Sequence, residues 1–381
     1  MIYRARQIEP LLKKYLQTFS IVAITGPRQS GKSTLLRELY SSSYRYVTFD
    51  DYRLLEFFHE DPEAFIKQYD DKVIFDEAQK APEIFDYLKI AVDNDRQRKG
   101  KYIITGSNQL NLNAKISESL AGRIGLLALM PFQYSEMPAI LRDKSIYKGS
   151  YPEVVMMSYQ NSDFWYSSYI ETFVMKDVKS LVNIGDLHDF RQFIRLIAVQ
   201  ASQTINMSTI SRILGISVST VKRWISVLES SYIIFLLPSY HKNMGKRIVK
   251  TPKIYFYDTG LLCQLTGISN KEVYENGPMA GSVFENYLVA EIKKNQFHQG
   301  ISTPLYYFRT SNEVEVDLVQ EYPDNNVWVE IKKTSTFKTR MLKPIESVLT
   351  GADTGIMLYN GDDFPYKNNI RVLNYKNYLL Q

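Results

Sequence analysis

Eight residues, GPRQSGKS at positions 26–33, follow the apolar run IVAIT and precede TLLRELY. They match G-x-x-x-x-G-K-[ST] in full, with a strand expected before them and a helix after, the context in which this pattern cradles phosphates. Gly26 and Gly31 let backbone amides converge on an anion with no Cβ in the way. Pro27, Arg28, Gln29 and Ser30 carry the chain around the phosphates, and Thr34 continues the helix whose N-terminus adds its positive end. Lys32 supplies a point charge for the β- and γ-phosphates, and Ser33 offers a hydroxyl to Mg²⁺. The implied chemistry is ATP binding with magnesium.

About 45 residues downstream, KVIFDEAQK ends an apolar run in Asp76 and Glu77. Asp76 suits holding Mg²⁺ through a water, and Glu77 suits aligning a water on the γ-phosphate. A strand at YIITGSN, lying between the other two, would bring Ser107 or Asn108 near that phosphate. In SLAGRI, Arg123 has the chemistry of an arginine finger, acting in cis or on a neighbouring subunit, or of an ordinary surface arginine.

A second set of chemical residues lies near the C-terminus. In EVEVDLVQ, strand alternation puts Val314, Val316 and Leu318 on one face and Glu315 and Asp317 on the other. In VWVEIKK, Val327, Val329 and Ile331 form an apolar face opposite Trp328, Glu330 and Lys332. Asp317 and Glu330 could hold Mg²⁺ while Lys332 orients a hydrolytic water. Glu285 falls on the apolar stripe of a helix with Leu288, Val289 and Ile292, where a carboxylate needs a partner, and a metal would be one. The competing expectation is charges on the exposed face of an antiparallel sheet.

Between these sets, MSTISRILGISVSTVKRWISVLE gives two helices around a turn, with Ile210, Ile213, Leu214, Val221, Trp224, Ile225 and Leu228 as their shared core. Ser219, Lys222 and Arg223 then project outward, as in a recognition helix. A β-like pair follows, joined through HKNMGKRIVKTPK, which contributes Lys242, Lys246, Arg247 and Lys250 without one acid. That order is a winged helix-turn-helix, used for DNA or for protein contacts.

The elements that must position these residues fall in order. The first third alternates continuous apolar β-runs with helices, which argues a parallel sheet covered on both faces. Helical, aromatic-rich sequence follows from about 136, then the helix-turn-helix, then a strand-rich end. The expected division is 1–135 for an ATPase core, 136–205 helical, 206–260 winged helix and 261–381 nuclease-like. The 381 residues carry a net charge of +5, one cysteine and four histidines. These counts exclude an intramolecular disulfide and a multi-cysteine zinc site, and leave carboxylates as the metal ligands. The apolar stretches are too short to span a bilayer and the first residues do not form a signal peptide. The expectation is a cytoplasmic protein.

GPRQSGKS, FDEAQ, TGSN, SLAGR, MPFQYSEM and GSYPEVV together resemble a large prokaryotic family of AAA-type ATPases whose C-terminal domain is of unknown function. The resemblance implies subunits that complete one another's ATP sites, hence a homo-oligomer. Asp317, Glu330-x-Lys332 and Glu285 are similar to the core of the PD-(D/E)XK nuclease fold, with Val in place of Pro before the aspartate. The leading expectation is a Mg²⁺-dependent ATPase that acts on DNA and carries a metal-dependent endonuclease domain. The alternative is a non-cutting regulatory or signalling ATPase whose winged helix and C-terminal domain bind proteins.

Overall fold

The computed structural model describes residues 3–106, 120–175, 187–241, 251–310, 314–367 and 369–381. It is a mixed α/β structure with two compact units: Met1–Phe132 with Ser230–Tyr232 and Phe297–Ile301, and the remainder from Gln133 onward. Among the described residues no helix is long and apolar enough to cross a membrane.

The first unit is built on five parallel strands, β1 (Ile21–Thr25), β2 (Arg45–Thr48), β3 (Val73–Asp76), β4 (Tyr102–Thr105) and β5 (Ile124–Ala128), in the order β2-β3-β4-β1-β5. The uninterrupted apolar runs read from the sequence are strands buried on both sides. In β1, Ile21 and Ala23 join one core with Phe49, Phe65 and Phe75, whereas Val22 and Ile24 join the other with Leu35 and Leu36. Helices α1 (Glu9–Thr18), α2 (Lys32–Tyr40), α3 (Tyr52–Glu60), α4 (Pro62–Gln68) and α5 (Ile84–Asp93) complete the unit. Because the order puts β4 between β1 and β3, the C-terminal tips of those three strands share one edge of the sheet.

The second unit begins with short helices, followed by α6 (Leu187–Val199), α7 (Met207–Leu214), α8 (Val218–Ser230) and the antiparallel pair β6 (Ile234–Leu237) and β7 (Lys253–Phe256). Trp224 of α8 packs edge-on to Phe190 and against Phe193, both from α6, at ring separations of 5.3 and 5.2 Å. The division expected at 205/206 therefore falls inside one core. Ile210 is fully buried and Leu214 half-buried, but Ile213, expected in the core too, is 59% exposed. On so short a helix the covered side follows the i, i+4 line from Ile210 toward Leu214, and Ile213 lies to its outer side.

The long helix α9 (Ala280–Gln299) leads to a six-stranded mixed sheet of β8 (Leu305–Arg309), β9 (Glu315–Glu321), β10 (Asn326–Lys332), β11 (Thr354–Tyr359), β12 (Phe364–Lys367) and β13 (Ile370–Asn374). Its order is β12-β13-β11-β10-β9-β8, with β10 antiparallel to β9 and parallel to β11. A central strand of this kind is covered on both faces, and Trp328 is buried with Val316, Val319 and Met357.

Candidate functional sites

Gly26 starts the loop after β1 with φ 133°, and a Cβ there would lie 2.2 Å from the Leu129 carbonyl oxygen. Glycine is therefore a steric requirement as well as a conformational one. Gly31 ends the loop at φ 96° and leads into α2. Within the loop, the Lys32 ammonium donates to the carbonyls of Gly26 and Pro27 at 3.0 and 2.9 Å. Ser33 Oγ lies 3.2 and 3.3 Å from the two carboxylate oxygens of Asp76 at the tip of β3. A hydroxyl and a carboxylate converging at the end of a helix N-terminus are a donor set that fits Mg²⁺. The Asp76 carboxylate also accepts hydrogen bonds from Thr105 of β4 and Tyr46 of β2. Burial and the bond to Asp76 push the Tyr46 hydroxyl up to about 12, so it donates at neutral pH.

Glu77 has φ 54°, in the left-handed region that a glutamate occupies only when its surroundings hold it there. Its backbone N–H points to Thr105 Oγ1 at 3.4 Å, and its carboxylate accepts from Gln79.

Sequence reasoning did not identify Arg6. Its buried guanidinium donates to the carbonyls of Ser30, in the phosphate loop, and Met130, at 3.0 and 2.7 Å, and sits 4.8 Å over the Phe132 ring. An arginine 20 residues ahead of the motif gives no local signal; only the fold returns it to the loop.

Arg123 lies elsewhere. It immediately precedes β5, whose Ile124 is in register with Ile21 at the start of β1, so it occupies the sheet edge opposite the phosphate loop. A five-residue strand, about 16 Å, separates the two ends. Arg123 instead forms a two-bond ion pair with Asp93, at 2.8 and 2.9 Å. Of the roles open to it, a finger acting in cis does not fit this position, and that alternative is corrected. Ser107 and Asn108 lie outside the described residues.

In the second unit, Ser219, Lys222 and Arg223 are exposed along α8, as the helix-turn-helix pattern expects. Lys242, Lys246, Arg247 and Lys250 lie outside the described residues.

The C-terminal candidates converge. The β9–β10 ladder pairs Leu318 with Val329, and beyond it the Asp317 carboxylate accepts the Ile331 N–H at 2.8 Å. Lys332 forms an ion pair with Glu330 at 2.5 Å and lies 3.9 Å from Asp317 Oδ2. These are not charges on a solvated face, since Glu330 is 2% exposed and Asp317 is also buried. Burial, then the neighbouring Asp317, pushes the Glu330 carboxyl up to about 8. Its Oε2 is buried with no hydrogen-bond partner. An unpartnered carboxylate oxygen beside a second carboxylate fits a divalent cation, so Asp317 and Glu330 could hold one.

Glu285 departs from the expectation. Its carboxylate accepts from Lys253 Nζ at 3.0 Å and from the Tyr255 hydroxyl at 2.7 Å. Lys253 also pairs with Glu315 at 2.6 Å and lies 4.0 Å from Asp317 Oδ1. A partner for this carboxylate on an apolar helix stripe is thus a lysine of β7, besides the metal that the sequence suggested. Among the described residues no group of three or more His, Cys, Asp or Glu is arranged around a metal position. Burial opposes the charge on Lys253, but Glu285, Asp317 and Glu315 outweigh it and hold the ammonium protonated.

Comparison with known proteins matches residues 18–138 to an AAA domain and residues 141–272 and 280–378 to two domains of unknown function, DUF8612 and DUF4143. The chain is 30% identical over 338 residues to uncharacterized proteins of Mycobacterium tuberculosis and Mycobacterium bovis, covering 88% of this chain and 75% of each relative. Among solved structures, a Walker-type ATPase of Pyrococcus abyssi shares 16% identity with a TM-score of 0.47, over 69% of this chain and 96% of that one. The parallel sheet, the phosphate loop and the AAA match agree on an AAA-type P-loop ATPase domain, and the protein belongs to the same family as the two mycobacterial proteins.

Proposed function

We propose that the chain is a Mg²⁺-dependent ATP-hydrolysing protein that acts on DNA, with a winged-helix DNA-binding module and a nuclease-like C-terminal domain. The observation that carries the reading is the meeting of Ser33, in the first turn of α2, and Asp76, at the tip of β3, 3.2 Å apart. Ser33 and Asp76 would hold Mg²⁺, which when bound neutralises charge building up between the phosphates. Lys32 exchanges its bonds to Gly26 and Pro27 for phosphate oxygens, and Glu77 orients the attacking water. Arg123 would contribute only in trans, from a neighbouring subunit of a homo-oligomer.

DNA as the partner is supported by the exposed Ser219, Lys222 and Arg223 and by the basic stretch holding Lys242, Lys246, Arg247 and Lys250. A cavity of about 410 Å³ adjoins the end of β10, where the Lys333 ammonium lies 5.0 Å over the Tyr274 ring, while Lys271 and Lys376 are paired with Glu275 and Asp143 of the same wall. A cation over an aromatic ring suits a nucleotide strand. In the C-terminal domain Asp317 and Glu330 would hold a metal ion, which when bound lowers the pKa of a water, and Lys332 would orient that water.

The test is cleavage of linear, nicked, branched and single-stranded DNA with Mg²⁺ or Mn²⁺ against EDTA. The expected result is metal-dependent cutting that Asp317→Ala abolishes, while its ATPase rate stays within about a factor of two. Cutting that survives in Asp317→Ala, or none in the wild type, removes the nuclease assignment. The second reading, a non-cutting regulatory or signalling ATPase whose winged helix and C-terminal domain bind proteins, is favoured by one observation: Lys253 already neutralises part of the acid cluster.

A further inference from the structure

Four carboxylates, from Glu285, Glu315, Asp317 and Glu330, meet between α9, β9 and β10, and two lysines enter the cluster. The two lysines differ. The Lys332 side chain is 40% exposed, sits at the end of its strand and reaches Glu330 from the solvent side. The Lys253 side chain is 3% exposed, opens β7 and is held by Glu285 and Glu315, with the Tyr307 ring 5.6 Å from its ammonium. The two ammonium groups also approach opposite oxygens of Asp317, Lys253 toward Oδ1 and Lys332 toward Oδ2.

We infer that Lys253 is a resident internal cation that removes Glu285 from the metal-binding set, limiting the cluster to a two-carboxylate site of low divalent-metal affinity. The inference rests on the reading of Asp317 and Glu330 as the ligands. A protonated amine beside a metal repels it, and a carboxylate already shared by an ammonium and a tyrosine hydroxyl has little charge left to give. Lys253 is therefore the specificity-determining residue of the site: with it, one weakly held cation on Asp317 and Glu330; without it, a three-carboxylate site that includes Glu285.

The probe is Mn²⁺ alone, titrated into the full chain carrying Asp76→Asn so that the phosphate-loop site does not contribute, with free Mn²⁺ followed by electron paramagnetic resonance. Glu285→Gln is expected to leave Mn²⁺ affinity within about threefold of the parent, because the residue is not a ligand. Lys253→Met is expected to tighten it at least ~10-fold, and Lys253→Met with Glu285→Gln to lose that gain. Should Lys253→Met fail to fold, the Glu285→Gln titration still decides: a tenfold loss of affinity there makes Glu285 a ligand and overturns the inference alone. Lys253→Met that folds and binds no more tightly than the parent overturns it as well. Absence of Mn²⁺ binding in both the parent and Lys253→Met overturns the inference together with the assignment of Asp317 and Glu330.

Discussion

Replacing Arg6 by methionine tests how the phosphate loop is held. Methionine keeps most of the stem's packing and removes the guanidinium. The two bonds lost run from a charged donor to the Ser30 and Met130 carbonyls, at 3.0 and 2.7 Å. Such bonds are worth about 1.5–3 kcal/mol each, and relief from burying the guanidinium returns part of that sum. The expected net loss is about 3 kcal/mol, or roughly 10 °C in melting temperature for a domain of this size. Because Ser30 belongs to the loop, the amides around it also lose their fixed aim. ADP binding with Mg²⁺ should weaken about tenfold, the equivalent of about 1.4 kcal/mol of lost preorganisation. Scanning calorimetry with and without Mg-ADP measures both effects at once. An Arg6→Met protein that melts within about 2 °C of wild type and binds ADP equally well would refute the clamp.

Lys32→Ala should lose productive ATP binding, seen as loss of nucleotide-dependent stabilisation, because the one mobile charge of the loop is gone. Glu77→Gln should bind ATP normally and hydrolyse it at least ~10²-fold more slowly in single-turnover assays; normal turnover would remove Glu77 from the mechanism. Without divalent metal, the raised carboxyl of Glu330 makes the folded state carry an extra proton from about pH 4.5 to about 8. Its contribution to stability is therefore fully present below about pH 4.5 and is lost as pH rises to about 8, with a slope of order 1 kcal/mol per pH unit. Glu330→Gln should flatten that decline in urea midpoints measured from pH 5 to 9, and an unchanged profile would contradict it.

The parts legible in the sequence are those where local pattern and chemistry coincide. The loop 26–33 announced itself because phosphate binding needs particular residues in unbroken order, and β1, β3 and β4 because strands buried on both faces read as continuous apolar runs. Asp317, Glu330 and Lys332 share a face by strand alternation, but the burial of Asp317 and Glu330 was not legible, since alternation looks the same whether the polar face is covered or wet. Lys253 was hidden for another reason. It sits in a stretch of five cations that reads as a basic surface run, yet the fold turns it inward onto a carboxylate 32 residues away. The choice among the roles open to Arg123 was not legible, because the sequence gives the strand it precedes but not which end of the sheet it meets. Arg6 and Tyr46 act across the fold on Ser30 and Asp76, and no spacing rule reaches that far.

The central claim is that nucleotide turnover in the first unit serves action on DNA. Steady-state ATPase rate of the wild-type protein, measured while linear, nicked, branched and single-stranded DNA are titrated in separately at low salt, tests it most directly. The account predicts that at least one of these DNAs raises the rate in a saturable manner, and that the gain shrinks as salt is added. A rate that stays flat with every DNA across the titration would contradict it.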